Sequence, residues 1–179
     1  MSFVKYADLQ SRVRSSNFSE STILKNASIS TGEKDIFLSH SHKDNSYVAG
    51  VIEMLREFNA SVYADLNDPS LPETPSPTTA RIIHLNIISC RRTIILVSPE
   101  SYDSKWVPWE LGLSDGLRGM EHTAVLPINQ SGQEEIWARR EYIGLYPLIT
   151  APNDWTTTLA VSNTSTGKSI PFSDWLKLP

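Results

Sequence analysis

The sequence predicts an α/β fold, a mainly parallel sheet with helices on both faces. Short apolar runs ended by polar residues alternate with stretches whose apolar residues recur at three- and four-residue spacing. The runs are β-branched, as in RTIILVS from Arg92 to Ser98, which suits strands buried on both faces. Alternation of this kind implies right-handed crossovers between parallel strands and places ligands at the carboxyl ends of those strands.

Each element follows in order. Residues 1 to 33 are rich in Ser, Thr and Asn, with Val4, Leu9 and Val13 supporting one short helix and the rest reading as an arm or linker. DIFLS, Asp35 to Ser39, is a buried strand. Val48, Val51, Ile52, Leu55 and Phe58 then share one helical face, with Asp44, Asn45 or Ser46 available as a cap. Ser61 to Ala64 is a second strand. The loop from Asp65 to Pro77 holds four prolines, so it is neither helix nor central strand. Ser76 followed by Pro77 starts a helix through ARIIHLNIISC. After the Arg92 to Ser98 strand, Trp106, Glu110 and Leu113 share a helical face that Gly116 and Gly119 bring to an end. Thr123 to Ile128 is the fourth strand, with Pro127 hinting at an end or edge, and Tyr142 to Ile149 the fifth. Residues 150 to 179 are read as a tail that packs back on the domain through Trp155 and Trp175.

Composition narrows the classes. The chain has 179 residues, 40% hydrophobic and 20% charged, which describes a globular domain with a sizeable core. Sixteen basic against 20 acidic residues give a net charge of −4, and no Lys/Arg run could follow a phosphate backbone, so nucleic acid is not an expected partner. Cys90 is the single cysteine, which rules out an internal disulfide. MSFVKYADLQ places an Asp where a secretory signal needs unbroken apolar residues, and no window is long enough to span a bilayer. These features predict a cytoplasmic protein without membrane partners, and the triplets at Asn17, Asn26 and Asn163 are then chance matches to a glycosylation pattern.

Several motifs invite chemistry. Ser39-His40-Ser41-His42-Lys43-Asp44 contains HxHxD at a strand end, but only His84 and His122 remain elsewhere to complete a metal site. It reads instead as a capped polar turn, and no metal is expected. Thr166-Gly167-Lys168-Ser169 imitates a phosphate-binding loop, yet Ser162 stands where that loop needs glycine and Ile170-Pro171 opposes the following helix. No GxSxG elbow occurs. Glu110 is different, an acid one helical turn beyond Trp106 and flanked by Trp109 and Leu111. In a partly dry cleft such a carboxyl has its pKa raised, or reserves its charge for a developing cation.

DIFLSHSHKD, the Pro-rich loop after Val62-Tyr63-Ala64-Asp65, and Ser104-Lys105-Trp106-Val107-Pro108-Trp109-Glu110-Leu111 together resemble a bacterial TIR (Toll/interleukin-1 receptor) domain over residues 34 to 149. The resemblance implies a flavodoxin-like sheet of five parallel strands with helices on both faces. It also implies cleavage of NAD+ between nicotinamide and ribose, with NAD+ as substrate and no separate cofactor. In that family the glutamate of SxWxxxE is catalytic, which matches Glu110; Pro108 inside the pattern and His40 and His42 in the first motif depart from it. Ser39, His40, Ser41 and Asp65 are then candidate substrate contacts, and Trp106 a wall of the site. The Pro-rich segment corresponds to the BB loop used in assembly, with Leu71 and Pro72 at its tip, so self-association is expected.

The products expected are nicotinamide with ADP-ribose or a cyclic ADP-ribose isomer. Standalone proteins of this kind resemble antiphage defence components of the Thoeris type, in which the nucleotide signals to a separate effector protein. The competing expectation is a non-catalytic TIR–TIR interaction module, an adaptor or effector; the presence of Glu110 counts against it.

Overall fold

The computed structural model describes residues 2–29, 32–65, 76–99, 101, 104–129, 143–151 and 158–179. The chain enters through a two-residue strand, β1 (Val4–Lys5), and two helices, α1 (Tyr6–Ser15) and α2 (Glu20–Ala27). Two helices therefore stand where the sequence suggests one helix and a linker. The Ser-rich stretch misleads because Ser19 is a cap, its side chain accepting from the Thr22 N–H at 3.3 Å. Both helices contribute to the main core through Leu9, Ile23 and Ala27. α1 lies so close to the helix that carries Gly50 that a Cβ on this glycine would stand 2.6 Å from Leu9 Cβ.

Then follow β2 (Lys34–Ser39), α3 (Asn45–Arg56), β3 (Val62–Tyr63), α4 (Pro77–Ser89), β4 (Cys90–Val97), α5 (Trp106–Arg118), β5 (Thr123–Asn129) and β6 (Leu148–Thr150). The fifth parallel strand is shorter than expected, because Ile143–Leu145 forms a 3₁₀ turn before it. Ser76 caps α4 as the sequence predicts, accepting from the Thr79 N–H at 3.2 Å with Pro77 at the first helical position.

The parallel strands pair in the order β3-β2-β4-β5-β6. This order reverses direction between β2 and β4, which opens a crevice at their carboxyl ends. The tail extends the sheet with the antiparallel strands β7 (Ala160–Ser162) and β8 (Ser169–Pro171), and β1 joins the end of β5 with Val4 beside Ile128. Pro127 lies in central β5 rather than in an edge strand, beyond the Val125–Leu148 pairing with β6.

Alternation along β4 divides the core. Ile94 and Leu96 face α1, α2 and α3, while Ile95 and Val97 face α5. A third cluster joins Phe37 and Tyr63 to Ile83 and Ile87 of α4, with Trp106 and Leu113 packed against it. A final short helix, α6 (Phe172–Trp175), buries both of its terminal aromatics. Arg92 of β4 holds this end of the chain: its Nε donates to the Trp175 carbonyl at 2.9 Å, and its Nη2 donates to the Leu178 carbonyl. Trp155 lies outside the described residues. Among the described residues no helix is long and apolar enough to cross a membrane.

Candidate active site

The crevice between β2 and β4 is built by two loops that are bonded to each other. After Ser39 the chain turns through a 3₁₀ segment, His42–Asp44, capped by Ser41. The Asp44 carboxylate, fully buried, accepts from the Ser41 N–H at 2.9 Å and from the Ser98 hydroxyl beyond β4. Ser98 is fixed in turn by Ser101, whose hydroxyl accepts from the Ser98 N–H at 2.9 Å. The sequence offers Asp44 as a cap for α3, but no such side-chain bond forms; Asp44 links the β2 and β4 loops instead.

Ser104 begins the next element by accepting from the Val107 N–H at 3.3 Å, and Pro108 falls in the first turn of α5, where its missing N–H costs least. Val107, Glu110, Leu111 and Ser114 form the buried face of this helix. Ser114 bonds Thr123 of β5 at 2.8 Å and Tyr146 reaches Asp115 at 2.9 Å, so the helix is held in rotation as well as position.

That rotation puts Glu110 into the interior, 3% exposed. Its pKa is pushed up to about 8, first by loss of hydration and second by the negative charge of Asp65. The Ser39 hydroxyl is near enough to pull weakly the other way, although it closes no hydrogen bond of ordinary geometry with a described residue. Asp65 comes from just beyond β3 and is partly open to solvent. It faces His40, whose Nδ1 lies 3.5 Å from Asp65 Oδ1 and 3.1 Å from the Leu38 carbonyl oxygen. The buried His40 Nε2 has no partner among the described residues.

Of the residues singled out from sequence, the fold thus gathers Ser39, His40, Asp65 and Glu110. Ser41 is committed to the turn, its hydroxyl accepting from the Lys43 N–H at 3.3 Å. Trp106 is half-buried against the cluster of Phe37, Tyr63, Ile83, Ile87 and Cys90, with Trp109 edge-on at 5.3 Å. Beside the pair is a shallow depression of about 380 Å³ lined by Ala80, Lys105, Trp106 and Trp109. Leu71 and Pro72 lie outside the described residues. The Asp44–Ser98 link is what sequence reading misses: Ser41-x-x-Asp44 is visible as a capping box, but its second partner comes from 54 residues away.

HxHxD does not converge. His40 faces Asp65, His42 is exposed and Asp44 is turned toward Ser98; among the described residues no three His, Cys, Asp or Glu side chains gather as metal ligands. Thr166-Gly167-Lys168 belongs to the exposed connection between β7 and β8, with Asn163 Oδ1 accepting from two N–H groups and Gly167 at φ +69°, and Ser169 begins β8 rather than a helix. Another apolar cavity, of about 340 Å³, lies among the tail, Met120 and Pro147; its acid, Glu121, is well exposed and unlike Glu110.

The chain matches the TIR domain family over residues 36–156. It is 32% identical over 148 residues to a Bacillus cereus (strain MSX-D12) protein named "Probable 3′ cyclic ADP-D-ribose synthase ThsB′", covering 80% of this chain and 75% of that one. It is 26% identical over 118 residues to a Cytobacillus dafuensis protein named "Putative cyclic ADP-D-ribose synthase TIR2", covering 64% of this chain but only 28% of that longer protein. Family match, strand order and crevice agree: this chain belongs to the TIR domain family, with its flavodoxin-like parallel sheet.

Proposed function

We propose that this protein cleaves NAD+ at the bond between nicotinamide and ribose, giving nicotinamide and either ADP-ribose or a cyclic ADP-ribose isomer. The observation that carries the reading is Glu110, an acid buried at the carboxyl edge of the sheet beside Ser39 and Asp65. When nicotinamide leaves as a neutral ring, positive charge moves onto the ribose, an oxocarbenium-like state of the kind met in glycoside hydrolysis. A carboxylate fixed in a dry site stabilises that charge without first having to reorient. The raised pKa fits this use: burial and the charge of Asp65 favour the protonated acid, and the positive nicotinamide ring favours its ionised form on arrival.

The relatives named as cyclic ADP-D-ribose synthases support the same substrate class and favour a cyclic product. The ThsB′ name of the Bacillus cereus relative is in keeping with a system of the Thoeris type, and on that reading the product acts in antiphage defence by signalling to a separate effector. Burying an acid costs stability, and a surface used only to pair with other TIR domains has no need of one. The test is incubation of purified protein with NAD+ over a range of protein concentrations, with nicotinamide release measured by chromatography. Glu110→Gln, shown to be folded by circular dichroism, is expected to lose the release; a folded variant that keeps it removes Glu110 from the chemistry.

A further inference from the structure

We propose that His40 is the proton acceptor of this site: its Nε2 takes the proton from the O–H nucleophile that captures ribose C1′, while Nδ1 stays on the Leu38 carbonyl oxygen beside Asp65. The inference rests on the NAD+-cleaving reading and names the group that manages the proton within it. The C1′–N bond breaks with its electron pair passing to the nicotinamide ring, which becomes neutral, and an O–C1′ bond forms. The nucleophile's proton is left over. One proton is therefore released per turnover, whether the oxygen belongs to a hydroxyl of the same dinucleotide, giving a cyclic product, or to water, giving a linear one.

His40 is placed to receive it. Both atoms that its Nδ1 faces, the Leu38 carbonyl oxygen at 3.1 Å and Asp65 Oδ1 at 3.5 Å, are acceptors. In the neutral ring Nδ1 therefore carries the hydrogen and Nε2 the lone pair. The side chain is 1% exposed and Nε2 has no partner among the described residues, so a buried acceptor waits without a donor, an arrangement that costs stability unless a ligand completes it. The adjacent Ser39 hydroxyl is unsatisfied in the same way. Once Nε2 is protonated, the Asp65 carboxylate on the Nδ1 side of the ring stabilises the new positive charge, as the orienting acid does in other His–Asp pairs. Glu110 is the other candidate, but its negative charge is needed at the cation until C1′ is captured.

A competing nucleophile with no proton to lose isolates the step. A pyridine such as 3-acetylpyridine attacks C1′ through its ring nitrogen, so exchange of nicotinamide for it depends on cation formation and not on a base. His40→Asn keeps an N–H donor toward Asp65 and removes the Nε2 acceptor. It is expected to raise the ratio of pyridine exchange to total O–H capture at least tenfold, with cyclic and linear products separated by mass spectrometry. Asp65→Asn leaves the ring in place without its carboxylate and should move the same ratio in the same direction by a smaller factor, which keeps the proposal testable if His40→Asn does not fold. A ratio within twofold of the parent's in a folded variant overturns the proposal and leaves NAD+ cleavage standing. Absence of both nicotinamide release and exchange in the parent overturns the two together.

Discussion

Replacing Glu110 by Gln should make the protein more stable while it abolishes activity, and the gain should grow with pH. Folding raises the Glu110 pKa from 4.5 to about 8, so the fold favours the protonated acid. Relative to a neutral side chain, the cost is negligible below the unfolded pKa and grows as pH rises, levelling off once the folded pKa is passed. At about 1.4 kcal/mol per pH unit, the whole span is worth about 5 kcal/mol and the part reached by pH 7 about 3 kcal/mol. Those are large fractions of an ordinary domain's stability. Gln matches the acid in shape and never ionises. Urea unfolding of parent and variant, followed by circular dichroism at pH 5, 7 and 8, cancels every titration the two share. The stability difference should widen in favour of Gln by about 3 to 4 kcal/mol between pH 5 and pH 8. Parallel stability curves would refute the reasoning, because they would mean that Glu110 is hydrated or charge-paired in the fold.

Other outcomes follow from the same structure. Gly50→Ala sets a Cβ 2.6 Å from Leu9 Cβ and 2.7 Å from the Leu9 carbonyl oxygen, so α1 must shift on α3; a loss of about 1 to 3 kcal/mol in urea unfolding is expected, and an unchanged midpoint would contradict the close packing. Since no three metal-ligating side chains gather among the described residues, EDTA should leave nicotinamide release unaltered, and loss restored by zinc would reverse that expectation. Leu71→Asp, in the proline-rich loop, should leave the monomer folded while reducing both the larger species seen by light scattering and turnover; a variant that assembles and turns over like the parent removes the loop from the mechanism.

The parallel sheet was legible because its information is local and repeated: β-branched runs, helical spacing between them, and a Ser76-Pro77 start that behaves as the sequence says. Glu110 stood out as an acid among Trp106, Trp109 and Leu111, but its neighbours could not be known. Ser39, Asp65 and Glu110 are brought together only by the strand order, which places β2 between β3 and β4. The N-terminal segment is not legible, for the opposite reason. Its Ser and Thr residues have the composition of a linker, and nothing local reveals that Leu9 lies against Gly50 or that the Ala27 carbonyl accepts from the Ala64 N–H at 3.0 Å, just before Asp65. Arg92, a charge within the run read as a strand buried on both faces, is buried because the last residues of the chain return to it.

Whether the buried Glu110 serves NAD+ cleavage is decided by mass spectrometry of the purified protein incubated with NAD+. Nicotinamide is expected in equal amount with a product whose mass is that of NAD+ less nicotinamide, or that mass plus water, with a loss of ~100-fold or more in folded Glu110→Gln. Intact NAD+ with the folded parent at every protein concentration, or a folded Gln variant that still forms the product at near the parent's rate, would contradict it.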